Sequence, residues 1–199
     1  MNGSIMSKLF VDEIVHQSSQ GSGTITIGAS GETINVVGTL QNNGAGVGGT
    51  NTPYFFAYRS ASYTISSGTW TKVIFDAEDF DTASGFNVST GTYTVQTAGK
   101  YYFQFSLRSQ AANGASSSRR TFCYLERTRS GTTAQRGNAG FDFSDNYITS
   151  NTVDGSAILD CEANDTICVY LYHLTTSGDV TVYEGSYRPT YFLGYKIIE

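Results

Sequence analysis

Apolar residues along much of this chain recur every second position, the period of a strand with one face buried. The clearest run is 100–109, KYYFQFSLRS. Tyr101, Phe103, Phe105 and Leu107 fall on one face, and Tyr102, Gln104, Ser106 and Arg108 on the other. Further strand-like segments occupy 70–76, 92–97, 120–128, 165–174, 179–187 and 190–198, separated by Gly and Asn/Asp turns. No segment carries an amphipathic helical period. Eight to ten strands in residues 53–199 predict an all-β domain, a sandwich or jelly roll of about ten strands.

Several of these strands are aromatic on both faces. Tyr170 and Tyr172 alternate with Val169 and Leu171, Phe122 and Tyr124 with Cys123 and Leu125, and Tyr102 with Tyr101 and Phe103. A sandwich buries one face per strand, and the other is normally polar. Large apolar patches on that second face mark interfaces. Tyr102, Phe122, Tyr124, Tyr170 and Tyr172 are therefore candidate interface residues of a homo-oligomer. The alternative is that these rings are solvent-exposed and simply favour strands.

Residues 1–52 differ in character. They are rich in Gly, Ser, Thr and Asn, and Phe10 is their single aromatic residue. An apolar segment at 9–15 (LFVDEIV) precedes two β-branched stretches, 24–28 (TITIG) and 33–38 (TINVVG), and 38–52 reads as a flexible linker. Strands this few and short do not enclose a core. They predict a docking segment or oligomeric stem, the alternative being a floppy tail. The chain thus divides into an N-terminal attachment segment and linker, 1–52, and a head, 53–199.

Composition removes several function classes. The 199 residues carry 12 basic and 17 acidic side chains, net charge −5, with charged residues at 15%. Nucleic-acid binding needs a basic field that this balance does not supply. Two histidines, His16 and His173, leave little for a histidine-based metal or catalytic site, and each reads as structural. No nucleophile elbow, metal-ligand set or cofactor motif is present. No apolar run approaches the roughly 18 residues that span a bilayer, and the first 17 residues lack a secretory pattern. Three cysteines cannot all pair within one chain. Cys161 and Cys168 flank a turn, but parity puts Cys161 on the core face with Leu159, and Cys168 opposite Ile167, Val169 and Leu171. Bridging needs Cβ atoms that face each other, so free thiols are expected, as in a reducing cytoplasm.

The stretch KVIFDAEDFDTASGFNVSTGTYTVQTAGKYYFQFSLRS resembles the globular head of complement component one-q. It carries, in that family's order, Ile74-Phe75-Asp76, Phe86-Asn87, Thr90-Gly91-Thr92-Tyr93 and Gly99-Lys100-Tyr101-Tyr102-Phe103. AILDCEANDTICVYLY is similar to its apolar strand, turn and apolar strand, with Asn164-Asp165 in place of Gly-Asp. TYFLGYKII is similar to its closing strand through Phe192, Gly194 and Tyr195. The resemblance spans about 54–198. It implies a ten-stranded jelly roll shared with tumour necrosis factor, and a homotrimer. The collagen stalk is missing, since 1–52 has no Gly-X-Y period. The first 40 residues resemble the leader of structural proteins from tailed phages, marine ones especially: a short apolar segment, a His/Ser/Gly step, then a G-T-x-T-I strand.

Together these imply a non-enzymatic virion structural protein, a fibre or decoration protein. Residues 1–40 would dock on a capsid, tail or fibre protein, and the head would face outward on the virion surface. A free-standing bacterial or secreted lectin-like module is the alternative; an enzyme such as a depolymerase would need a carboxylate pair in a cleft. The acidic run Asp76, Glu78, Asp79 and Asp81 has oxygen ligands that suit calcium, as in some relatives, but lacks loop-site spacing and reads as a solvated loop. Arg119, Arg120, Arg127, Arg129 and Arg136 hold five of the twelve cations. Loops are where contacts vary, and 110–120 and 129–147 read as loops. Arg119, Arg120, Arg129, Arg136, Phe141 and Tyr147 are therefore candidate ligands for a host-surface polysaccharide, with an ordinary charged hairpin edge as the alternative.

Overall fold

The alternating segments fold as strands, and the described residues contain no helix. A computed structural model describes residues 41–42, 45–46, 52–112, 117–142 and 148–197. The chain divides into two compact units, Met1–Gly48 and Gly49–Glu199. In the first, β1 (Gln41–Asn42) pairs antiparallel with β2 (Ala45–Gly46), inside the stretch expected as a linker. The segments expected at 9–15, 24–28 and 33–38 lie outside the described residues.

The second unit holds β3 (Tyr54–Tyr58), β4 (Tyr63–Ile65), β5 (Thr71–Lys72), β6 (Ala77–Asp81), β7 (Phe86–Asn87), β8 (Thr92–Thr94), β9 (Gly99–Ala111), β10 (Ser118–Arg129), β11 (Thr132–Asp142), β12 (Ser150–Cys161), β13 (Thr166–Thr175), β14 (Val180–Val182) and β15 (Tyr191–Lys196). A six-stranded sheet runs β11-β10-β13-β8-β7, with β5 also on β13. A seven-stranded sheet runs β4-β14-β9-β15-β3-β6, with β12 along the other edge of β9. All pairings are antiparallel, which gives the expected jelly-roll sandwich.

Two expectations about loops are corrected. Much of 129–147 is strand: β11 pairs with β10 through a turn in which Ser130 (φ 47°) and Gly131 (φ 80°) both take positive φ. That is the primed turn whose twist suits a two-residue hairpin. Its small polar residues hid the strand, because a sheet edge wetted on its outer side needs no apolar alternation. Likewise the acidic run contains β6, which pairs with β3. Its three aspartates are occupied separately. Asp76 accepts from the Ser60 amide at 2.7 Å and pairs with Arg59 at 3.3 Å; Asp81 accepts from the Phe86 amide at 2.7 Å; Asp79 pairs with Arg188.

Alternation decides the core. Phe55, Tyr93, Tyr101, Phe103 and Phe192 are all buried between the sheets. The Phe55 ring lies 4.3 Å from Tyr93 and 5.0 Å from Phe192, centroid to centroid. Toward the other end the sheets meet through polar groups. His173 is fully buried, with Nδ1 2.8 Å from Ser109 Oγ and Nε2 2.8 Å from Ser118 Oγ. Ser109 also donates to Asn151 Oδ1 at 3.2 Å, and Asn151 Nδ2 donates to Thr121 Oγ1 at 2.6 Å. Each member of this buried cluster has a partner, which offsets the cost of taking it out of water, whereas the buried Tyr63 and Tyr93 hydroxyls and Arg127 Nε have none. The three cysteines are free and buried.

Candidate functional site

Because β3, β9 and β15 turn every second side chain away from the core, the seven-stranded sheet presents an outer face of its own. Tyr54, Phe56, Tyr102, Tyr191, Leu193 and Tyr195 line it, joined by Phe80 of β6 and Ile158 of β12. Tyr102 packs 5.3 Å from Tyr195, and Phe56 lies 5.4 Å from Tyr191 and 6.0 Å from Phe80. Gln104 donates to the Tyr191 hydroxyl at 3.2 Å, and the Tyr102 hydroxyl donates to Gln104 at 3.3 Å. A depression of about 560 Å³ opens between Tyr54, Phe56, Phe80, Leu193 and Tyr195. Phe80 remains 47% exposed and Ile158 62%, so this face is wide, apolar and uncovered.

The six-stranded sheet has a second aromatic face, built differently. Phe122 and Tyr124 of β10 stand beside Tyr172 and Tyr170 of β13, paired across the ladder. Tyr124 stacks on Tyr170 at 5.4 Å. Trp70, one residue before β5, closes over them at 4.7 Å from Tyr124 and 5.3 Å from Tyr172. Tyr124 is left almost fully buried within its own chain. The five candidate interface residues therefore do not share a surface. Tyr102 lies on one sheet and Phe122, Tyr124, Tyr170 and Tyr172 on the opposite one. Sequence reasoning missed Trp70 as their cover, since a single tryptophan just before a two-residue strand carries no periodic signal.

The candidate arginines do not converge either. Arg120, on the outer face, pairs with Asp142 at 3.0 Å, and Arg119 is exposed nearby. Arg129 stands nine residues further along β10, about 30 Å away at strand rise. There it donates to Asp165 at 2.8 Å and Glu162 at 2.9 Å, and to the Asp160 carbonyl at 2.8 Å. Burial alone would raise the Asp165 carboxyl pKa, but hydrogen bonds from Arg129 and the Glu162 amide outweigh it and hold the carboxyl low. Arg129 thus fastens the β12–β13 turn. Arg136 and Phe141 sit opposite the buried Leu125 and Thr121, so both start from the core-facing side of β11, away from Arg120. Tyr147 lies outside the described residues. Among the described residues no group of three His, Cys, Asp or Glu side chains is placed to hold a metal ion.

Comparison with known proteins accords with this architecture. Residues 54–197 match the C1q domain family. Among solved structures, the globular domain of zebrafish complement 1qA protein superposes with a TM-score of 0.53 at 19% identity, covering 74% of this chain and 99% of that one. Murine APRIL at pH 5.0 gives 0.55 at 10% identity, covering 73% and 98%. Eiger TNF from S. frugiperda gives 0.54 at 16% identity, covering 74% and 92%. No curated protein sequence matches the chain. With the family pattern matched across the whole sandwich and the same fold in these structures, the chain belongs to the C1q domain family.

Proposed function

We propose that this protein is a non-enzymatic, homotrimeric binding and structural protein of a tailed-phage particle. In this reading its C1q head faces outward, and residues 1–40 attach it to a capsid, tail or fibre protein. The observation that carries the assembly is the outer face of the seven-stranded sheet. Ile158 and Phe80 stay exposed there beside a ring-lined depression, whereas on the opposite face Trp70 packs over Tyr124 and Tyr172. Apolar surface of this breadth is stabilised by covering it, and closed symmetric association does so with copies of the same chain. Tyr102 is kept as an interface residue, while Phe122, Tyr124, Tyr170 and Tyr172 lie on the opposite sheet, where Tyr124 is buried beside Trp70. The attachment role and the virion surface rest on the phage-like leader and on three thiols that stay unbridged.

Analytical ultracentrifugation tests the assembly. The full chain should sediment at three times 21.5 kDa. Ile158→Asp, at an exposed site that leaves the fold intact, should yield monomers by placing a charge in the apolar contact. A trimer unaffected by Ile158→Asp and by Tyr102→Glu would refute this face. Mass spectrometry of purified phage particles tests the location, and recovery of the protein only from the particle-free fraction would favour a free-standing binding module.

A further inference from the structure

We propose that the cleft between Trp70 and the β10–β11 hairpin binds a neutral saccharide. The cleft measures about 350 Å³, at the lower end of small-ligand sites, and its lining includes Trp70, Phe122, Tyr124, Gln135, Asn138 and Gly140. Its chemistry is two-sided. The Trp70 indole is braced by Tyr124 and Tyr172 yet stays 43% exposed, a rigid apolar plate open to solvent. Facing it are two side-chain amides, each able to donate and accept.

The backbone is shaped to bring both amides there. Gln135 and Asn138 are three residues apart, so an uninterrupted strand would put them on opposite faces. The ladder instead steps from Cys123↔Ala139 to Leu125↔Arg136, two residues on β10 against three on β11. Gly137 takes φ 55° at this bulge. A bulge with a left-handed glycine re-aims side chains, and here it returns Asn138 to the aromatic face beside Gln135. The Gln135 amide also lies near the Tyr124 hydroxyl. Gly140 keeps the floor low, because a Cβ there would overlap the Phe122 ring.

An apolar plate opposite amides fits a pyranose, whose C–H face lies on an aromatic ring while its hydroxyls exchange hydrogen bonds at the rim. None of the lining side chains carries a charge, which selects against uronates and sulfated sugars. A lipid or apolar peptide would offer the Gln135 and Asn138 amides no hydrogen bond. Each chain contributes one such site, so a multimer on a surface gains by avidity. The inference rests on reading the head as a binding module; it requires neither the trimer nor the particle.

The test uses the full chain on an array of neutral glucans, galactans and mannans, with sulfated and uronate glycans beside them. Retained glycans are then titrated in solution. Trp70 is the chain's one tryptophan, so its emission reports the site directly. Retention of a neutral glycan is expected, with a saturable change in emission. Asn138→Ala should weaken binding at least fivefold, and Trp70→Ala should abolish retention. Retention of anionic glycans only, binding unchanged in both variants, or no neutral glycan retained each overturns the site. Sedimentation of the same samples reports assembly separately. A trimer that retains nothing removes the saccharide site alone, and a monomer that retains neutral glycan removes the trimer alone.

Discussion

With no exposed surface and both ring nitrogens engaged by serine hydroxyls, His173 is held neutral; burial pushes its pKa down to about 4. In the unfolded chain the ring titrates near 6.5. Between these values the unfolded state binds a proton that the folded state refuses, so stability is whole above about pH 6.5 and falls as pH drops toward 4. The loss should approach about 3 kcal/mol at full protonation of the unfolded state. Urea titrations from pH 7 to pH 4 measure it, and His173→Gln should flatten that slope. The thiols behave in the opposite sense. Burial raises Cys161 and Cys168 to about 12 and Cys123 higher still. A thiol reagent at pH 8 should therefore find no reactive cysteine in the native protein and three in denaturant. At this scale the sequence was partly legible. Parity correctly put Cys161 and Cys168 on opposite faces, because period two is a local property. The partners of His173 were hidden, since Ser109 and Ser118 come from other strands.

Among the elements, β15 shows most directly how packing dictates sequence. Gly194 faces the core between two rings: an added Cβ would sit 2.5 Å from Phe103 and 2.8 Å from Phe55. Gly194→Ala should cost about 1–3 kcal/mol by overpacking, read as a lower midpoint in thermal melts. Strands with apolar alternation, such as β9 and β13, were evident from their residues. Strands whose stability comes from ladder position were not. β11 is built of small polar residues and is fixed by pairing with β10, while β6 is acidic and is fixed by β3. The bulge at Gly137 escaped for the same reason, since a register shift has meaning only against a partner strand. Five aromatic positions were singled out because their strands are aromatic on both faces, but their division between two sheets follows from the strand order. That order puts Tyr102 on the face with Phe80 and Ile158, and the other four on the face where Trp70 packs.

At the scale of the molecule, a fragment starting at residue 53 should sediment as the full chain does, because the exposed apolar face belongs to the head. Removing 1–40 should give a soluble head that fails to enter particles, checked by quantifying the protein in purified virions. Connectivity carries a further consequence. The first strand of the head, β3, pairs with the last, β15, and β15 alone joins β3 and β6 to the central β9 within the sheet. During synthesis β3 and β6 must therefore wait, edge open, until Tyr191–Lys196 have left the ribosome. Such distant pairing slows folding and lengthens the interval in which chaperones are needed. It also makes the domain self-auditing. A message truncated before Tyr191 cannot close its sheet, so incomplete products should be cleared by proteases rather than accumulate as partly active heads.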